Sequence, residues 1–477
     1  MFSYSVVRLT CDLCYRYKHA MIDLAFDWLL LYLQIFLLGA MIIPQLLRRK
    51  NRNLYAVLIA GTMLVLVQGQ IWWMFNLFEQ GHTQITHILQ YIVIDAAQRA
   101  NWYVTLCVIC MYTVFTFLTA ITPKNLVGDG HGLPLIVSTR ESGFSLALVF
   151  VWVSLVTFLL VRLRGGLVGL VMQPGASVPG QTLFLIALGV GKIPFLRRLA
   201  AGLRLRLLDV GLLAVVFTLI LLNSRFLSAF ILLQTIFTYN YCRYEIKRRY
   251  LILTTVVLIA IFFGYGLYRE YLNFYTTINT ANIVEFFSIR LSGSDILGWF
   301  YAKNVEGFAG LAGILTYEQK NNGLNHDFGI STLSFFTQLL PNAVRTNPNL
   351  FKPLADYLEA FYPYNGSIVA SGLENAYAHF GVLGIGGLGI LLGCLTHWLH
   401  IQMRYPRTDK LQIAILSIHI LDLIRGPFRN VLFFGLADLA ILWLYRVLLS
   451  LGKNVRLTIS KRSVEDGPVI TPNSRLD

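Results

Sequence analysis

Charged residues are scarce in this sequence. Asp, Glu, Lys and Arg make up 13% of its 477 residues, against 56% hydrophobic residues, whereas soluble domains carry about a quarter charged residues. The mean hydropathy is +0.62. Such a composition excludes a soluble enzyme, because lipid must be the solvent for most of the chain.

The sequence also lacks the motifs that hold nucleotides and metals. It has no Walker sequence, no dinucleotide glycine fingerprint after a strand, and no Asp-x-Asp pair that would hold a metal-bound nucleotide sugar. Among six cysteines, Cys11/Cys14 and Cys107/Cys110 have Cys-x-x-Cys spacing, but no second pair or His completes a zinc site. We therefore expect no metal, no cofactor and no disulfide framework.

Apolar runs of about 20 residues recur along nearly the whole chain, which predicts an all-α, polytopic integral membrane protein with about eleven transmembrane helices. We place the spans at about 22–46, 54–77, 101–122, 144–162, 181–196, 207–223, 226–241, 250–268, 376–400, 411–428 and 431–451. Segment 79–100 is predicted to be an amphipathic surface helix, and segment 163–180 an external connector.

The net charge of +15 comes from short basic clusters between apolar runs, which indicates membrane orientation rather than nucleic-acid binding. The clusters lie near Arg48–Arg52, Arg197–Arg206, Arg243–Arg249, Arg404–Lys410 and Lys453–Arg462. Even numbers of predicted spans separate them, so all can face the cytoplasm together.

This parity places segment 269–375 on the outer, periplasmic side. The predicted organisation is an N-terminal bundle of about eight spans (1–268), one large periplasmic loop (269–375), C-terminal spans (376–451) and a cytoplasmic tail (452–477). The loop has only short apolar runs, and a loop of that length is usually functional.

The N-terminal segment conflicts with this topology. The first apolar run begins near Ile22 and is too long for a cleavable signal, yet residues 1–21 carry Arg8, Arg16 and Lys18 on the side predicted to be external. An interfacial segment, a helix count wrong by one, or translation from Met21 would each resolve the conflict. We favour the last.

Two candidate sites lie at the outer edge of predicted spans, where charged residues are costly. Arg225 sits in a tight hairpin, with interface anchoring as its alternative role. Arg425 and Arg429 flank a Gly-Pro break, which would line a cavity to satisfy its freed backbone groups. Asp422 lies one turn before Arg425, so a structural ion pair is the alternative there.

The predicted loop supplies further candidates: Arg290, Asp295, Arg345, Glu374 and His379. The planar fork of arginine suits a diphosphate, since it donates two hydrogen bonds at once and stays charged. A carboxylate or His in the same cavity could accept a proton from an attacking sugar hydroxyl. A solvated loop surface would also explain these residues.

The stretch Ser371–Gly384 resembles a motif of the bacterial oligosaccharide repeat-unit polymerases, which include the O-antigen and enterobacterial common antigen polymerases. In that family a Gly-Glu-x-Tyr-x-x-Phe-Gly-x-x-Gly type stretch leads from the large periplasmic loop into the next span. Tyr377, Phe380, Gly381 and Gly384 match this stretch at its spacing, and Glu374 lies one residue farther from Tyr377 than the Glu of the motif does. Weaker likenesses are the hairpin with Arg225 and the Arg-Gly pair at Arg425, so the resemblance covers roughly residues 210–450.

The resemblance implies a GT-C-like polymerase/ligase architecture in the bacterial inner membrane. It also implies transfer of a glycan from undecaprenyl diphosphate to another lipid-linked repeat unit, without metal or nucleotide. The expected partners are that lipid-linked oligosaccharide, membrane lipid and a chain-length-determining membrane protein. Glu374 or Asp295 would deprotonate the acceptor, and the expected substrate-binding residues are Arg225, Arg290, Arg345, Arg425, Arg429, Tyr377 and His379.

Two alternative functions accompany this prediction, and the glycines have an alternative explanation. An O-antigen ligase uses the same donor but usually has a loop His within an Arg-containing helix, whereas His326 has no Arg close before it. A lipid-linked glycan flippase or other transporter predicts charges near the midplane of several spans. The glycines after Glu374 would admit a lipid tail or simply a neighbouring helix.

Overall fold

The computed structural model describes most of the predicted spans and part of the segments between them. Described are residues 2–48, 52–82, 84–87, 90–122, 146–162, 181–223, 225–242, 246–247, 249–257, 307–321, 371–404, 410–425 and 434–447, with short pieces within 260–288, within 323–328, and at 428 and 431–432. Two compact units form: Met1–Gly132 with Tyr244–Gly435, and Leu133–Arg243 with Leu436–Asp477.

The described part of the chain is helical apart from one β-hairpin. In chain order the elements are α1 (Phe2–Leu47), α2 (Leu54–Glu79, π-helical over Leu64–Gln68), β1 (Gln84–His87), β2 (Gln90–Val93), α3 (Ile94–Ile121), α4 (Leu146–Arg162), α5 (Gln181–Val190), α6 (Ile193–Ala200), α7 (Leu207–Asn223), α8 (Arg225–Cys242), α9 (Phe308–Lys320), α10 (Gly372–Arg404), α11 (Lys410–Leu416), a 3₁₀ turn (Ser417–Leu421) and α12 (Asp422–Arg425). Helical residues also cover 249–257 and 434–447. Elements α4 to α8 belong to the second unit.

Among the described residues, four helices are long and apolar enough to cross a membrane: Leu24–Leu47 of α1, α2, α3 and α10. Leu207–Leu221 and Lys410–Leu421 are shorter apolar helices. The all-α membrane class is therefore confirmed, while the count of about eleven spans and the external position of 269–375 stay predictions.

Helix α1 shows the two faces that a spanning helix at the edge of a bundle needs. Leu31 and Leu38 are fully buried, whereas Leu29 and Phe36 are 61% and 70% exposed. The apolar exposed residues return at helical spacing and form a stripe. An exposed apolar stripe of this kind is stable in contact with lipid, because its contact with water would be unfavourable.

The prediction of a surface helix over 79–100 is wrong. Helix α2 ends at Glu79, β1 and β2 form an antiparallel hairpin, and α3 begins at Ile94. Ile85 pairs with Ile92, and Ile92 is fully buried. The strands contain the β-branched or aromatic residues Ile85, Thr86, Tyr91, Ile92 and Val93, which favour strands over helices.

The predicted single span 181–196 is also wrong, since a turn at Gly191–Lys192 divides it into α5 and α6. A Cβ at Gly191 would lie 2.6 Å from the Trp152 ring and 2.8 Å from Val216, so the backbone is pressed against its neighbours there. Pro194 then occupies the first turn of α6, a position that proline favours.

Segment 269–375, predicted to hold only short apolar runs, contains the buried helix α9. Its residues Phe308–Thr316 are all buried, and α9 packs against α3, β2 and α10. The run Phe308–Leu315 was too short to be recognised as a span. The described part of this segment therefore contributes to the core of the first unit.

Helix α10 is two helices joined by a sharp turn at Gly381, which has φ 60° and ψ −144°. The turn brings Gly384 against the carbonyl group of Ala376, although in a straight helix the two residues would lie about 12 Å apart along the axis. The longer part then packs along α3, where a Cβ at Gly389 would collide with the carbonyl of Cys107. Close helix packing thus accounts for Gly389.

Candidate functional site

Helix α9 and the part of α10 before Gly381 are two short helices of the first unit. Both run from inside the bundle toward the end at which the β-hairpin lies, here called the hairpin end. Helix α9 starts where the Ala309 amide donates to Gln70 Oε1 at 3.1 Å. Gln70 lies about 13 Å along α2 from Glu79, the end of that helix. At its other end α9 carries Glu318, 3.3 Å from Arg99 in the second turn of α3.

The first part of α10 starts beside the start of α9. Ser371, at the N-cap of α10, donates from Oγ to the Gly307 carbonyl at 3.1 Å. Ser371 is fully buried. Both short helices therefore direct their N-termini, with their partial positive charge, into the bundle.

Glu374 completes a capping box at this helix start. Its amide donates to Ser371 Oγ at 3.0 Å, and its Oε2 accepts from the Ser371 amide at 3.1 Å. Ser-x-x-Glu is the sequence signature of this arrangement. That signature was present in the sequence and could have indicated a structural role.

The Glu374 carboxylate also lies close to the start of α9. A Cβ at Gly310 would collide with Glu374 Oε2, so a larger residue there would displace the Glu374 carboxylate. Negative charge is favoured between two helix N-termini. Because Glu374 is 1% exposed, its observed contacts are those of a helix cap, and its role as a base stays a prediction.

Tyr377 joins a charged cluster at the hairpin end. Its hydroxyl donates to Glu318 Oε2 at 2.8 Å, and the same oxygen accepts from Arg99. The Tyr377 ring stacks on Tyr103 with centroids 5.5 Å apart. The Arg99 side chain is 41% exposed and that of Glu318 21%, so the cluster opens to the surroundings of the protein.

His326 extends the cluster from a fourth segment. Its Nδ1 lies 3.1 Å from the Ala378 carbonyl, and its ring meets the edge of Tyr377 at 5.7 Å. The Phe328 amide donates to the His379 carbonyl at 3.1 Å. Two hydrogen bonds therefore attach His326 and Phe328 to the end of the short helix in α10.

His379, predicted to bind substrate, is fully buried. Its ring lies 6.0 Å from the Phe428 ring and 6.0 Å from the Phe380 ring. These two contacts place the His379 ring among aromatic side chains. The role of His379 in binding substrate stays a prediction.

The other predicted site residues are placed only in part. Asp295, Arg290, Arg345 and Arg429 lie outside the described residues. Arg225 begins α8 in the second unit and Arg425 ends α12 in the first, but their side chains, and the predicted pair of Arg425 with Asp422, are also outside. The backbone near Arg425 does approach the re-entry stretch, because a Cβ at Gly372 would collide with the Leu423 carbonyl.

A buried polar network, which the sequence reasoning missed, joins α1, α2 and α3. Gln34 Nε2 donates to Asn101 Oδ1 at 2.8 Å and to Thr105 Oγ1 at 2.7 Å. Gln68 donates to Gln34 Oε1 at 3.1 Å, and Asn101 donates to Asp27 Oδ1 at 3.1 Å. Such hydrogen bonds between membrane helices fix their mutual positions.

The second unit holds a buried ion pair that was also missed. Lys192, at the break between α5 and α6, lies 2.8 Å from Asp438 Oδ1, and Gln234 donates to Asp438 Oδ2 at 3.0 Å. Lys192 and Asp438 are 6% and 5% exposed. All three residues fall inside predicted spans, where ionisable groups are usually functional.

No group of three or more His, Cys, Asp or Glu side chains within the described ranges could hold a metal ion. No family model matches the chain, and neither a curated protein nor a solved structure matches it. Fold and composition together define an all-α membrane protein. Its activity has to be inferred from the geometry of its sites and from the motif at Ser371–Gly384.

Proposed function

We propose that the protein polymerises lipid-linked oligosaccharide repeat units, such as those of an O-antigen or exopolysaccharide. It would transfer a glycan from undecaprenyl diphosphate to the non-reducing end of another lipid-linked unit. The reaction would take place at the periplasmic face of the bacterial inner membrane. The hairpin end would face the periplasm if the basic segment Arg48–Arg52, at the opposite end of α1, faces the cytoplasm.

The cluster of Arg99, Glu318, Tyr377 and His326 carries this proposal. It combines a cation, a carboxylate, a phenol and an imidazole at the end of the spans. A substrate with a polyprenyl tail and a diphosphate head would place its tail in lipid and its head at this level. The partly exposed Arg99 offers a donor for that diphosphate.

The reaction needs charge stabilisation more than it needs an activating nucleotide. The diphosphate is already a good leaving group, and cations stabilise the charge that it gains as it departs. Arg99 supplies one such cation. Arg290 and Arg425 are further candidates by the motif resemblance, and Asp295 a candidate base.

Gel analysis of the surface glycan in a deletion strain tests the proposed activity. A missing polymerase leaves a single repeat unit on lipid A core, and a plasmid copy of the gene restores the ladder. Bare core with accumulated lipid-linked polymer would indicate a ligase instead. Arg99→Ala is expected to leave single units while protein abundance stays normal.

A lipid-linked glycan flippase or other transporter is a second candidate function, favoured by the buried pair Lys192–Asp438. A charged pair at a helix break inside predicted spans is typical of transport sites. The same gel separates the two functions, because loss of a flippase leaves no exported unit at all. If the protein is a polymerase, cells that carry a stably folded Lys192→Met variant should export repeat units normally.

A further inference from the structure

The hydrogen bond of His326 determines which ring nitrogen can act as a base. The Ala378 carbonyl, 3.1 Å from Nδ1, can only accept, so Nδ1 must carry the hydrogen. In the neutral ring the lone pair then resides on Nε2. The edge contact with Tyr377 restrains the same orientation.

Nε2 of His326 faces the backbone turn at Gly381. A Cβ at Gly381 would lie 3.1 Å from Nε2 and 3.4 Å from Cε1, so the missing side chain leaves room beside the lone pair. The positive φ of 60° independently favours glycine there. His326 itself is only half-buried, and small groups can approach it.

Backbone strain occurs right beside His326. Phe328 has a φ of 50°, an uncommon value for a bulky residue, and its side chain is 74% exposed, so burial of the ring does not require the strain. The hydrogen bond from the Phe328 amide to the His379 carbonyl holds this conformation. Strain of this kind collects at functional sites, where it fixes a reactive group.

The alternatives to His326 within the described cluster are less suited to accept a proton. Oε2 of Glu318 already accepts from Tyr377 and Arg99. Glu374 is 1% exposed and caps a helix. Among these acidic and basic groups, His326 is the one with a partly accessible ring and an assigned lone pair.

We propose that His326 is the general base of the glycan transfer, a proposal that rests on the proposed polymerase function. Nε2 takes the proton of the acceptor hydroxyl, and the hydroxyl oxygen forms a bond to the anomeric carbon of the donor. The bond from that carbon to the diphosphate oxygen breaks, and undecaprenyl diphosphate leaves with the electron pair. His326 then returns the proton to water.

The variant His326→Asn tests this role, because its side-chain amide can still donate to the Ala378 carbonyl but has no basic nitrogen. Purified protein in lipid nanodiscs is given an undecaprenyl-diphosphate-linked repeat unit, and polymer formation is followed by gel. We expect kcat to fall by about 100-fold or more with an unchanged KM for the lipid-linked unit. His82→Asn, an exposed histidine after α2, is the matched control and should behave as wild type.

The outcomes separate the two proposals. A wild-type protein that forms no polymer overturns the polymerase function before any variant is compared. An active wild type with His326→Asn within tenfold of it overturns the base role alone, as does a variant whose loss lies in KM. If His326→Asn elutes as an aggregate, His326→Gln, measured per mole of monodisperse protein, is judged by the same limits.

Discussion

Glu374 offers the clearest separation of a structural from a catalytic role, through the pair of variants Glu374→Gln and Glu374→Ala. Gln at the third position of a capping box accepts the same amide hydrogen bond as Glu. It would therefore keep the bond from the Ser371 amide, which is 3.1 Å long. We expect the free energy of unfolding to change by less than about 1 kcal/mol.

Glu374→Ala removes this acceptor and leaves the buried Ser371 amide without it. An unpaired buried donor costs about 1–3 kcal/mol, and the emptied space next to Gly310 adds to the loss. Thermal unfolding in detergent should therefore rank wild type and Gln together, with Ala clearly lower. Abundance in the membrane should follow the same order.

The glycan gel completes the test of Glu374. If Glu374 acts only as a helix cap, the Glu374→Gln variant should produce the full ladder of chain lengths. If Glu374→Gln reaches normal abundance and unfolds like wild type yet leaves single repeat units, Glu374 is the base, as the motif resemblance implied. If Gln unfolds as early as Ala, the capping assignment is wrong.

Three further predictions concern an ion pair, helix packing and a hydrogen bond. Lys192→Met should destabilise the protein by about 3–5 kcal/mol, because it leaves Asp438 buried without its cation, and adding Asp438→Leu should recover most of the loss; equal stability of the single and double variants would contradict this. Gly389→Val should sharply lower membrane abundance, since its side chain would meet the α3 backbone, whereas Gly387→Val, with nothing within 4 Å of its Cβ, should not; similar abundance would refute the packing account. Tyr377→Phe should cost about 0.5–1.5 kcal/mol in thermal unfolding through loss of the hydrogen bond to Glu318, and an unchanged midpoint would show that this bond contributes nothing.

The membrane class and the main spans were predictable because lipid imposes a simple rule on composition. The spans predicted at 54–77 and 101–122 correspond to Leu54–Glu79 and Ile94–Ile121. A run of about 20 apolar residues rarely forms anything other than a transmembrane helix. The hairpin at 84–93 and the short helix α9 were missed. Their lengths are below any span threshold, and tertiary contacts decide their conformation.

The site was predictable only where its residues are close in sequence. Glu374 and Tyr377 fall in one motif, and the structure does bring them to one short helix. Arg99 and Glu318 are 219 residues apart, and neither has a distinctive neighbour in the sequence. His326 was set aside for lack of an arginine close before it in the chain, while the cluster obtains its arginine from α3.

Polymerisation by the purified protein is the most direct test of the account. Wild-type protein in nanodiscs, supplied only with an undecaprenyl-diphosphate-linked repeat unit, should convert single units into a ladder and release undecaprenyl diphosphate without added metal or nucleotide. Lipid-linked units that stay single throughout, or that only change leaflet in sealed vesicles, would contradict it.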